Sequence, residues 1–263
     1  MTAQPVGRRV EHVMGMPISL ALRGRHADDA RGEAAWQQAL ASLREADRVF
    51  STYRADSFVS LLDRGEIEPE DCPAVVGEVL ALGEQARVGS AGAFDVRRPG
   101  ADGRTVLDPS GVVKGWAVQR AAAAFAALPE TDVCLSAGGD LVCRTVVPGS
   151  PGWRIGIEDP RDPSRTVAVV PVRNGAVATS GAARRGAHID DPRTGGTPTY
   201  FASVTVVAPD LTDADIEATT AFVLGAGAEE WLGARPGRAA VLVRPDGTLQ
   251  VLAPRPALSS YSA

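Results

Sequence analysis

Apolar positions recur at helical spacing in several places along the chain. Trp36, Leu40, Leu43 and Ala46 fall three to four residues apart and predict an amphipathic helix running to Val49. Ser57 is a capping residue ahead of a short helix holding Phe58, Leu61 and Leu62, closed near Gly65. Pro73 suits the first turn of a helix carrying Val76, Val79 and Leu80 towards Gly89. Positions 97–103 are glycine, proline and charge and read as loop, and a further helix is expected over 113–128. Short β-rich runs predict strands at 13–22, 133–135, 141–147, 153–157, 166–172 and 202–207. Gly138-Gly139, Pro148-Gly149 and Asn174-Gly175 break them. A helix over 213–224, a shorter one near Glu229, and a hairpin pairing 239–243 with 249–252 about Asp246-Gly247 complete the pattern. Helices in the first half and a mainly antiparallel sheet in the second predict an α+β fold, read as one domain over 1–263.

Charge narrows the function classes. Acidic residues number 32 against 27 basic ones, a net charge of −5, so the basic excess that phosphate-backbone binding requires is missing and nucleic acid is an unsuitable partner. No apolar run reaches about 18 residues, so no transmembrane segment is expected. The first nine residues lack the apolar stretch of a secretory signal, and a cytoplasmic location is the expectation. The three cysteines, Cys72, Cys134 and Cys143, have no metal-like spacing.

Of the 27 basic residues only Lys114 is lysine. G+C-rich coding explains an arginine excess, but it does not easily remove a lysine whose task needs a compact ammonium. Lys114 lies in Asp108-Pro109-Ser110-Gly111-Val112-Val113-Lys114-Gly115, at the start of a predicted helix. N–H groups at such a position favour anions, so the segment suits a phosphate; a solvated lysine in a first turn is the other reading. Asp215 and Thr219, four apart, share a helix face, where two oxygens can hold a hard cation such as Mg²⁺. Acidic residues also belong in a first turn for capping, and Asp213 fits that role. His188, followed by Asp190 and Asp191, is either a general base or a loop histidine paired with a carboxylate.

Taken in order, the motifs resemble those of the FAD:protein FMN transferase family, also called the ApbE family. They are Met14-Gly15, Ser51-x-Tyr53 with Ser57, Gly92-Ala93-Phe94-Asp95, the Asp108 to Lys114-Gly115 element and Gly138-Gly139-Asp140. Ala178-Thr179-Ser180-Gly181, His188-Ile189-Asp190-Asp191-Pro192-x-Thr194-Gly195 and Ala214-Asp215-x-x-x-Thr219 follow. The resemblance implies an ApbE-like fold and Mg²⁺-dependent transfer of the FMN half of FAD to a threonine or serine of an acceptor protein, with release of AMP. It implies that Met14, Tyr53, Ala93, Phe94, Asp95, Asp108, Lys114 and Ile189 bind FAD. The Gly111 carbonyl, Asp215 and Thr219 would hold Mg²⁺, and His188 and Asp215 are the catalytic candidates, His188 for activating the incoming hydroxyl. An FAD pyrophosphatase and a non-catalytic FAD-storage protein are the alternatives. The chain departs from the family pattern in the short Asp95–Asp108 stretch, in Met16, Asp63 and Gln119, and in Ala182-Ala183 after the Thr-Ser-Gly motif.

Overall fold

The computed structural model describes residues 6–99, 103–181 and 189–254. Its spine is an eight-stranded sheet in the order β1-β2-β5-β6-β9-β10-β11-β12, with every neighbouring pair antiparallel. The strands are β1 (Val6–Val13), β2 (Met16–Gly24), β5 (Thr131–Ala137), β6 (Asp140–Arg144), β9 (Gly175–Gly181), β10 (Ser203–Ala208), β11 (Ala239–Val243) and β12 (Leu249–Leu252). Between them run α1 (Ala30–Phe50), α2 (Phe58–Asp63), α3 (Ala74–Gly89), α4 (Ser110–Ala122), α5 (Leu211–Leu224) and α6 (Ala228–Gly233). Two small ribbons, β3 (Arg97–Pro99) with β4 (Thr105–Leu107) and β7 (Trp153–Asp159) with β8 (Asp162–Val172), stand outside the main sheet. The α+β expectation holds. No described helix is long and apolar enough to cross a membrane.

Strand alternation divides the interior in two. Ile18, Leu20, Leu135, Ala178, Val204 and Leu242 point to the helical side and join Trp36, Leu40, Leu43, Trp116 and Leu211 in the main core. Leu141, Cys143, Val177, Val241 and Val243 point the other way, where Ile157 and Val172 of the β7–β8 ribbon cover them.

Four local readings change. The single strand expected over 13–22 is a hairpin: β1 and β2 pair from Val13 opposite Met16, and Met14-Gly15 forms the turn with φ of 55° and 68°. Two positive φ values mark the tight turn whose twist matches paired strands. The expected loop at 97–103 contains β3, which pairs with β4 and closes the short stretch between Asp95 and Asp108. Asp63 fastens that ribbon, accepting the Leu107 N–H at 2.7 Å and pairing with Arg104 at 2.8 Å. Ala178-Thr179-Ser180-Gly181, for which the sequence pattern predicts no strand, is the end of β9, inside the sheet between β6 and β10. Finally, α5 is capped by Asp210, which accepts the Thr212 N–H at 2.7 Å, rather than by Asp213, which pairs with Arg238 at 2.8 Å. Gln119 takes the Leu211 N–H at 3.0 Å and completes the cap from α4.

Candidate functional site

The register gathers the motifs at one end of the sheet. Ile18 faces Ala137, Ala137 faces Asp140 across the Gly138-Gly139 turn, and Leu141 faces Val177, so the ends of β2, β6 and β9 lie side by side. The Gly138 N–H donates to the Pro17 carbonyl at 3.2 Å, which ties the Met14-Gly15 hairpin to the Gly138-Gly139 turn. Met14 is half-buried against the main core there.

Two helices bring the charges. Gly115 of α4 and Asp215 of α5 meet at a close crossing: a β-carbon on Gly115 would lie 2.7 Å from the Leu211 carbonyl and 2.9 Å from Asp215 Cβ. Glycine is required by that approach. The Gly115→Ala variant forces the helices apart, with an expected cost of about 1–3 kcal/mol, or roughly 3–10 °C in Tm for a chain of this size. Thermal unfolding measures it.

At this crossing the Gly115 N–H donates to Asp215 Oδ2 at 3.0 Å, and Lys114 Nζ lies 3.1 Å from Asp215 Oδ1. The Lys114 ammonium also contacts Asp140 Oδ2, and Asp140 Oδ1 accepts the Thr179 N–H at 3.0 Å. Asp140 and Asp215 are 1% and 2% exposed, so one ammonium faces two buried carboxyl groups. Burial and the Asp140 charge push the Asp215 carboxyl up to about 7, against the pull of Lys114 and the Gly115 N–H. Burial alone would lower Lys114, but Asp215 and Asp140 outweigh it and hold the ammonium above its ordinary value. A buried cluster with this balance favours an added cation or a proton. One turn beyond Asp215, the Thr219 hydroxyl lies 2.9 Å from Ser180 Oγ, completing an oxygen-rich corner.

The Ala93-Phe94-Asp95 turn packs on the start of α4. Ala93 and Phe94 are buried, the Phe94 N–H donates to Ser90 Oγ at 3.0 Å, and the Phe94 ring would sit 3.2 Å from a β-carbon on Gly111. Asp95 accepts the Arg97 N–H at 2.8 Å. Asp108 accepts the Ser110 N–H at 3.2 Å and pairs with Arg98 at 2.8 Å. Ile189 packs half-buried on the main core, and Arg193 of the same loop lies against Gly92, 3.5 Å from its β-carbon position. Tyr53 is different: it lies in the turn after α1 and is 99% exposed. His188 lies outside the described residues.

Lys114, Asp215, Thr219, Gly111 and Phe94 therefore converge around α4 and α5, and Tyr53 does not pack with them. Three positions that the sequence placed in motifs but gave no role do work here. Asp140 is the second carboxylate on Lys114, Ser180 partners Thr219, and Gly115 permits the crossing. All three stood in the motif order, Asp140 after the Gly-Gly turn, but nothing in the sequence assigned their partners. On the opposite face of the sheet a cleft of about 740 Å³, including its open mouth, lies between Gly138, Gly139, Thr179 and Ser203 on one side and Ile155 and Ile157 on the other.

A family model described as "ApbE family" matches residues 98–243, which include α4, the Gly138-Gly139 turn and α5. An FAD:protein FMN transferase of Klebsiella pneumoniae is 33% identical over 129 residues, 45% of this chain and 37% of that protein. Its counterpart in Salmonella typhimurium is 30% identical over 151 residues, 54% of this chain and 43% of that protein. The matched regions thus span less than half the length of these curated relatives. The apo flavinyl transferase ApbE of Pseudomonas stutzeri superposes with a TM-score of 0.78 at 24% identity, covering 96% of this chain and 95% of that one, and shows the same fold. With the motifs in family order and the family model matched over more than half its residues, the chain belongs to the ApbE family.

Proposed function

We propose that the protein transfers the FMN half of FAD to a threonine or serine hydroxyl of an acceptor protein and releases AMP. The observation that carries this reading is the lone lysine held between two buried carboxylates beside a threonine–serine hydroxyl pair. The names of the relatives, FAD:protein FMN transferases, support it.

The donor set fits a hard cation. Asp215 is a buried carboxylate raised by burial and by the charge of Asp140, and Thr219 offers a hydroxyl one turn away. The N–H that a regular helix gives to the Gly111 carbonyl is the one that Asp215 Oδ2 accepts, which sets that carbonyl and carboxylate at one corner. Gly111, Asp215 and Thr219 would hold Mg²⁺, which when bound neutralises charge on the pyrophosphate. Lys114 adds a positive charge beside the same phosphates and stabilises the departing AMP. Met14, Ala93-Phe94-Asp95, Asp108 and Ile189 orient FAD, and Tyr53 offers an exposed ring for the flavin. The acceptor hydroxyl attacks the FMN phosphorus, its proton passes to His188, and the P–O bond to AMP breaks. Positioning and charge neutralisation are what phosphoryl transfer asks of a protein.

The test incubates the protein with FAD, Mg²⁺ and a flavin-acceptor domain. Fluorescence that stays with the denatured acceptor, with AMP in equal amount, is the expected result. AMP with no labelled acceptor would assign a pyrophosphatase, and FAD binding without either product a storage protein.

A further inference from the structure

Cys134 and Cys143 lie directly opposite each other on β5 and β6, with sulfurs 3.8 Å apart. Both are free thiols. Their place in the ladder follows from the turn. Ala137 and Asp140 flank the two-residue Gly138-Gly139 turn and form a hydrogen-bonded pair, so alternation makes Leu135 with Val142 another. Cys134 with Cys143 is then a pair without ladder bonds, where α-carbons approach to about 4.5 Å and side chains sit closest. That separation falls at the short end of the range a disulfide spans, about 4.4–6.8 Å. Small side-chain rotations bring the sulfurs to the bond length of about 2.0 Å without moving either strand.

The two thiols differ in access and acidity. Cys143 is 2% exposed and Cys134 half-buried, so an oxidant reaches Cys134 first. The hydrogen bond from Cys143 holds the Cys134 thiol below its ordinary value, helped by the charge of Arg8, whereas the same contact, with burial, pushes Cys143 up.

We propose that Cys134 and Cys143 are a reversible modification site, forming a cross-strand disulfide by exchange with small-molecule disulfides. The Cys134 thiolate attacks one sulfur of the reagent, a mixed disulfide forms and one small thiol leaves. Cys143 then attacks the Cys134 sulfur, loses its proton, and expels the second small thiol. The protein dithiol is oxidised and the small disulfide reduced to two thiols, so electrons and protons balance.

The test equilibrates the folded protein with excess glutathione disulfide, alkylates remaining thiols and cleaves at arginine. Residues 121–144 form one peptide containing both cysteines, with Cys72 in another. The expected result is loss of both alkylation sites in that peptide and a mass lower by about 2 Da than the reduced peptide, reversed by dithiothreitol. In Cys143→Ser, the same treatment leaves one glutathione on Cys134. Two alkylatable thiols after equilibration of the wild type, or a stable glutathione adduct on its Cys134, overturns the proposal.

Discussion

Asp215→Asn is expected to lower metal-dependent FAD turnover by about 10²–10³-fold, the loss typical when a preorganised charge is removed from a reacting centre. The substitution keeps the shape and a partner for the Gly115 N–H while deleting the negative charge. It also has a consequence that needs no activity. The folded Asp215 carboxyl is raised from 3.8 to about 7 by burial, with Lys114 and Asp140 as the charged groups facing it. The folded state thus binds that proton more tightly than the unfolded chain does. Its contribution to stability is complete below pH 3.8 and is lost as the pH rises through about 7. Metal-free protein therefore unfolds at lower urea at about pH 8 than at about pH 5, with Mg²⁺ restoring part of the difference. Asp215→Asn flattens that slope. Equal pH profiles for the two proteins would remove Asp215 as the group whose titration sets the slope.

The second large effect is at Lys114. Lys114→Arg retains the charge yet is expected to reduce kcat/KM for FAD by about 10²-fold, because misplacement by an ångström is enough at such a centre. The ammonium touches Asp140 and Asp215 as a point charge, with its side chain only 19% exposed. A planar guanidinium needs a different spacing of acceptors. Neither carboxylate is free to follow it: Asp140 is tied to the Thr179 N–H and Asp215 to the Gly115 N–H. Thermal unfolding shows whether the variant is folded, and steady-state kinetics measures the loss. Normal turnover would make the lone lysine an accident of coding bias.

The helical layer was legible because its apolar stripe faces one way. Trp36, Leu40 and Leu43, spaced for one face, are all buried. The centre of the sheet was not. β9 reads Gly-Ala-Val-Ala-Thr-Ser-Gly, which mimics a turn because small residues fill its buried positions Ala176, Ala178 and Ser180. The Met14-Gly15 turn escaped notice for another reason: methionine rarely adopts the positive φ it has there. In the site, Lys114, Asp215 and Thr219 stood out by chemistry and motif order. Asp140, Ser180 and Gly115 lay in the same motifs without a role, since partnership depends on which strands and helices become neighbours. The Gly115–Asp215 bond joins residues 100 apart and the Ser180–Thr219 contact residues 39 apart.

The bond between Gly115 and Asp215 also bears on how the chain acquires its site. Loop closure over a hundred residues must precede it, and everything between, from β5 to β10, has to be in register before the two helices can cross. A nascent or partly folded chain can hold both helices and still lack the Lys114–Asp215 corner. Capture of FAD during refolding should therefore lag behind the far-ultraviolet helical signal and report the last cooperative step of assembly.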